Sequence, residues 1–106
     1  MLDGNRVHNR DGEPMLQDEP LKALLQECVV LDTGTPIVYI GLLREVTNSV
    51  FVLTDADMHD CRDGHANQEV YLAETRRDGV TVNRREVIVM RSAVISVSRH
   101  SDVIGE

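Results

Sequence analysis

A chain of 106 residues has the length of one domain, enough for a single hydrophobic core and too little for a second. Apolar residues make up 42% of it, yet only one Phe, two Tyr and no Trp are present, so the core must be built from Val, Leu and Ile. The formal charge of −7 excludes broad, non-specific attraction to nucleic-acid phosphates and restricts any such contact to a local site.

The start, MLDGNRVHNRDGEP, lacks the apolar core of a signal peptide, and no apolar run has the length needed to span a membrane. With two cysteines, Cys28 and Cys61, the expectation is a cytoplasmic protein with reduced thiols and no membrane partner. Residues 1–17 carry Gly4, Gly12, Pro14 and scattered charges without an apolar period, the pattern of a flexible arm.

Asp18 suits an N-cap, Glu19 and Pro20 suit a first helical turn, and Leu21, Leu24 and Leu25 fall on one face, which predicts a helix of roughly two turns. Such a helix is unstable alone, so its leucines must pack on a sheet. Cys28–Asp32 reads as the first strand and Asp32-Thr33-Gly34-Thr35-Pro36 as a turn in which Gly34 takes positive φ. Ile37–Val46 is the second strand, and Gly41 within it marks a bulge, bend or close approach where the sheet bends to close. Thr47-Asn48-Ser49 makes a tight turn, and Val50–Ala56 is the third strand.

From Asp57 the pattern changes. DMHDCRDGHANQ has five acidic or His side chains and no apolar period, which predicts a long acidic loop over 57–68. Glu69–Thr75 fits a strand or a two-turn helix capped by Asn67. The alternation of Val70 and Leu72 with Tyr71 and Ala73, and the hairpin signal Asp78-Gly79, favour the strand. Thr81–Met90 and Val94–Ser98 are the last strands, and 99–106 reads as a frayed tail.

A short helix followed by about five strands, with a bent glycine strand second and a very short turn before the last, is the layout of a mostly β, SH3-like bent barrel. The residues also resemble the Sm-like (LSm) family. The first motif of that family is matched by Val29-Val30-Leu31-Asp32, the turn at Gly34, Gly41-Leu42-Leu43, the turn at Thr47-Asn48-Ser49, and Val50-Phe51-Val52-Leu53-Thr54-Asp55-Ala56. The second is matched by Val87-Ile88-Val89-Met90-Arg91-Ser92-Ala93-Val94-Ile95-Ser96-Val97, so the likeness covers most of residues 18–98.

The resemblance implies a non-enzymatic ring of identical subunits, without cofactor, that associates with short single-stranded RNA. It places an RNA-base pocket at Asn48, Phe51, Arg91 and Ser92. Thr47 stands near the family's Asp position, the Asn position falls on Val50 or Phe51, and Ser92 replaces the usual Gly. For Phe51 a core position is favoured over a stacking face. For Arg91, base contact and a hydrogen bond to a neighbouring strand or subunit stand as equal alternatives. Independently of the resemblance, VIVM and VISV would leave a sticky edge that no Lys or Pro guards, the condition for edge-to-edge assembly.

A rival reading uses the acidic loop for metal binding or catalysis. A calcium loop beginning at Asp55 fails, because its glycine position is Asp60 and its bidentate position is Ala66. His59, Cys61 and His65 have plausible reach for zinc or for a Cys-His pair, but the paired-Cys spacing of structural sites is absent. Metal binding is therefore not the expectation. Arg76, Arg77, Arg84 and Arg85 flank Asp78-Gly79 as a basic patch suited to phosphate or to carboxylates of a neighbouring subunit.

Overall fold

The computed structural model describes residues 18–62 and 67–105. The expected arm over 1–17 and positions 63–66 of the acidic loop lie outside them. The described elements are α1 (Glu19–Lys22), β1 (Cys28–Asp32), β2 (Ile37–Val46), β3 (Val50–Asp60), α2 (Gln68–Asp78), β4 (Arg84–Met90) and β5 (Ser96–Arg99). Two 3-10 turns, Arg91–Ala93 and His100–Asp102, follow β4 and β5. The strands form one antiparallel sheet in the order β4-β3-β2-β1-β5.

β4 and β5 are therefore the opposite edges of the sheet, yet only Arg91 to Ile95 join them. In a flat sheet four strand spacings would separate these edges by roughly 19 Å. A link whose first three residues are a 3-10 turn reaches only roughly 16 Å even with the rest extended. The sheet must therefore curl, and it stays open because no ladder joins β4 to β5.

The curl has a local cause in β2. Between Ile40 and Leu42 the register slips, so that Asp55, at φ 50, and Ala56 together oppose Gly41. A Cβ on Gly41 would lie 2.9 Å from the Ala56 Cβ and 3.2 Å from the Thr54 carbonyl oxygen, so only glycine allows the strands to approach here. A second slip between Leu43 and Glu45 accommodates Arg44.

The inner face of the curl holds Val29, Leu31, Leu43, Val46, Phe51, Leu53, Ala56 and Val89, with Leu24 buried among them and Leu21 and Leu25 packed alongside. The expected leucine stripe thus covers the core, although α1 itself is a single turn. The chain leaves it through i→i−3 bonds and enters the sheet where Gln26 N–H donates to the Leu43 carbonyl at 2.7 Å. On the outer face Val30, Val38 and Ile40 meet Cys61, Tyr71 and Leu72, so α2 forms a second layer there.

Three sequence expectations are corrected. β3 runs to Asp60 rather than ending at Ala56, because the first half of β2 offers a ladder to Asp57, Met58, His59 and Asp60, and that pairing overrides their polar composition. Glu69–Thr75 is helical, not a strand. Asn67 Oδ1 accepts from Val70 N–H at 2.9 Å, Gly79 at φ 94 closes the helix by donating to Thr75 O, and Glu69 and Arg76-Arg77 suit its first and last turns. Asp78-Gly79 is thus a helix end, and the four-residue alternation that suggested a strand is not kept, since Tyr71 and Leu72 are both buried and Val70 is exposed. The segment after Ser98 is not frayed, since β5 continues to Arg99, His100 is buried and Val103 packs on the outer-face cluster.

Candidate functional site

Arg91 lies in the 3-10 turn that joins the two sheet edges, positioned by its N–H donating to Ser49 O at 2.8 Å. Its Nη1 donates to Asp18 Oδ2 at 3.1 Å and to the Thr47 carbonyl at 2.7 Å, and its Nη2 donates to Asp18 Oδ1 at 3.2 Å. The guanidinium carbon stands 5.5 Å from the centre of the Phe51 ring. This fork-to-fork pairing with a buried carboxylate over an aromatic face ties the start of α1 to the β2–β3 turn and to the end of β4. Asp18 stands at the N-cap position of α1, as expected, but its side chain makes no cap bond to the helix.

Phe51 is 3% exposed and belongs to the inner core, so its ring supports Arg91 from below. Asn48 is half-buried in the turn whose hydrogen bonds come from Thr47, with Oγ1 accepting from the N–H groups of Ser49 and Val50. A groove of about 300 Å³ opens beside Arg91, lined by Leu21, Phe51 and Val97 among others, which brings β3 and β5 to one rim. Ser92 is exposed on a neighbouring groove of about 360 Å³ with the hydroxyl-bearing Thr33, Thr35 and Tyr39, and Ile95 stands between the two grooves. Arg91 and Phe51 are thus brought together, while Ser92 faces the other side of Ile95.

The basic residues divide between two elements. Arg76 and Arg77 occupy the last turn of α2, where Arg77 pairs with Asp78 at 3.0 Å, and Arg84 and Arg85 begin β4, where Arg84 donates to the Asn83 carbonyl at 3.0 Å. All four are exposed.

The described part of the acidic segment builds a polar cluster under α2. Asp57 is 2% exposed and accepts from Tyr71 O–H and, at 3.0 Å, from Asn83 Nδ2. Asn83 also bonds both backbone polar groups of Met58, and the His59 ring stacks on Tyr71 with centroids 3.7 Å apart. Burial pushes the Asp57 carboxyl above its ordinary value, against the opposing pull of His59 and Asn83. Asp60 turns away to Arg62, whose hydrogen bonds hold its carboxyl down at about 2.

Burial, and then the charges of Asp60, Asp57 and Asp32, raise the Cys61 thiol, the reverse of what an activated nucleophile needs. Among the described residues no three His, Cys, Asp or Glu side chains converge to hold a metal, and His65 lies outside them. Sequence reasoning missed the Asp18–Arg91 pair and the Asp57–Tyr71–Asn83 cluster, which join positions 73 and 26 residues apart. The Asp before α1 reads as a cap in the sequence, and no local signal points to Arg91.

Comparison with family models, with curated proteins and with solved structures returns no match. Among the described residues no helix is long and apolar enough to cross a membrane.

Proposed function

We propose that the chain is a divergent Sm-like subunit that assembles, without enzymatic activity of its own, into a homo-oligomeric ring by pairing β4 of one copy with β5 of the next. The observation that carries this reading is that large apolar side chains face solvent on β4, one free edge of the sheet, and in the residue that leads into β5, the other. Ile88, Met90 and Ile95 are 55%, 57% and 69% exposed. A free strand edge templates another strand, and two unlike edges on one subunit give a head-to-tail contact that repeats until it closes. The helix-first strand order and the β3 bulge opposite Gly41 of β2 support the Sm-like part of the reading.

RNA association is the secondary part. In the isolated subunit Arg91 directs three hydrogen bonds at Asp18 and Thr47, so its remaining donors and the groove beside it are what a base or phosphate would meet.

Sedimentation of the wild-type protein at micromolar concentration should give one closed oligomer, and a monomer would reject the assembly. The bond from Arg91 N–H to Ser49 O sets the phase of the β4 ladder, so the Ile88 N–H points to the open edge rather than to β3. Ile88→Pro should therefore leave the β3–β4 ladder in place and lower the assembled mass. For RNA, anisotropy titrations of short U-rich and A-rich strands compare wild type with Arg91→Gln at temperatures where both are folded. Equal weak binding removes the RNA part and leaves the assembly untouched.

A further inference from the structure

The outer-face layer is held differently from the core. α2 has eleven residues, too few to be stable alone in water, and it buries only Tyr71, Leu72 and Thr75. The segment after β5 lies along it. A Cβ on Gly105 would meet the Ala73 Cβ at 3.1 Å, Val103 packs on the same cluster, and His100 is buried with Nε2 2.9 Å from Thr75 Oγ1.

The protonation of that last contact is fixed by counting hydrogens. The Thr75 hydroxyl has one, and it donates to the Leu72 carbonyl at 2.8 Å. Thr75 Oγ1 must then accept from His100, so the docked imidazole carries its hydrogen on Nε2. A second proton would have to enter at Nδ1, in a buried ring whose charged neighbour on α2 is Arg76, a like charge.

We propose that His100 is a proton-operated catch: neutral, it fastens the C-terminal turn to α2, and on protonation it releases the turn and loosens α2 from the outer face. This device is independent of the assembly reading. Burial first, and then Arg76, hold the docked imidazole below its ordinary value of 6.5. A histidine so lowered takes up its proton more readily when released. The docked state is therefore favoured above pH 6.5 and loses ground as pH falls from 6.5 towards the lowered value.

The other charged groups around the layer do not supply this response. On the His100 turn itself, Arg99 lies 3.9 Å from Asp102 and pairs with Glu27 at 2.9 Å. β1, packed against the turn, has its one carboxylate, Asp32, at the end away from the Val29–Arg99 pairing, accepting from Gly34 N–H. Asp57, facing Tyr71 with His59 and Asn83 beside it, has a raised carboxyl, so its proton uptake has the opposite sign and favours docking at more acid pH. His59, stacked on Tyr71, is the one other imidazole described against α2.

The test is backbone hydrogen exchange of the full chain between pH 7.5 and 5.5, corrected for intrinsic rates and read as the protection of amides 71–78 relative to 51–53 in β3. Because one proton is linked, α2 opening should rise by up to about tenfold per pH unit below 6.5 while β3 stays level. His100→Gln keeps a donor for Thr75 and cannot titrate, so the response should vanish. His59→Phe keeps the stack and should retain the response. An unchanged response in His100→Gln, its loss in His59→Phe, or flat α2 protection in wild type overturns the proposal. Should His100→Gln fail to fold, an NMR titration of the wild-type imidazoles decides, with a His100 midpoint below 6.5 expected and one at or above 6.5 overturning the catch.

Discussion

The two faces of the sheet solve the same problem with different chemistry. The inner face closes over aliphatic side chains contributed by every strand and by the leucines after Asp18, so each buried group is supported from several directions. The outer face covers Val30, Val38 and Ile40 with a short helix, and completes the contact with a carboxylate, a phenol, an amide and an imidazole. Apolar packing is insensitive to pH and tolerant of small rotations, whereas each outer-face polar contact depends on one hydrogen in one place. The inner face is therefore expected to set global stability, and the outer layer to open first.

That contrast breaks most readily at the centre of the inner face. Leu53 is fully buried, and Leu53→Ala should lower unfolding free energy by about 2–5 kcal/mol in chemical denaturation. A loss below 1 kcal/mol would mean that the inner face is not the stabilising core. Arg91→Ala comes next, because it takes the guanidinium away from the nearly buried Asp18 carboxylate. The expected loss is roughly 3 kcal/mol, partly restored by adding Asp18→Ala, and strict additivity of the two changes would show that the pair does not couple.

At the corner, Gly41→Ala forces a methyl against Ala56 and should cost about 1–3 kcal/mol, with a fall in melting temperature as the readout. An unchanged melting temperature would show that the strands separate there without penalty. The smallest effect belongs to the outer layer. Asn67→Ala removes the α2 cap and should cost about 1 kcal/mol, read as faster exchange in 71–78 with β3 unaffected, and equal acceleration in both would merge the two faces into one cooperative unit.

The inner face was largely legible in the sequence. β1, β2 and the first half of β3 announce themselves through β-branched runs bounded by turn residues, and Gly34 and Gly41 mark a positive-φ turn and a close approach. These signals are local, and the structure uses them locally. The outer face was not legible for the converse reason. Asp57 to Asp60 are polar residues made into strand by a partner, and Val70 and Leu72 set against Tyr71 and Ala73 suggested alternation, whereas the helix buries the adjacent pair Tyr71 and Leu72 and leaves Val70 exposed. The capping signals at Asn67 and Gly79 were present and should have outweighed four residues of alternation. Asp18 could not be matched with Arg91 by any spacing rule, since that pair exists only once the start of α1 lies against the end of β4.

The joining of β1 to β5 has a consequence for how the chain folds. β1 finds β2 within one hairpin, but its other edge pairs with residues up to seventy positions later, Val29 with Arg99. Closing so long a loop is slow compared with forming a hairpin, and during synthesis it waits until β5 has emerged. Until then β1 carries an uncovered backbone edge beside a finished hairpin, open to the β5 segment of any copy nearby. Exchange of β5 between chains is therefore the misfolding route that this strand order invites, and the speed of the last pairing is its guard.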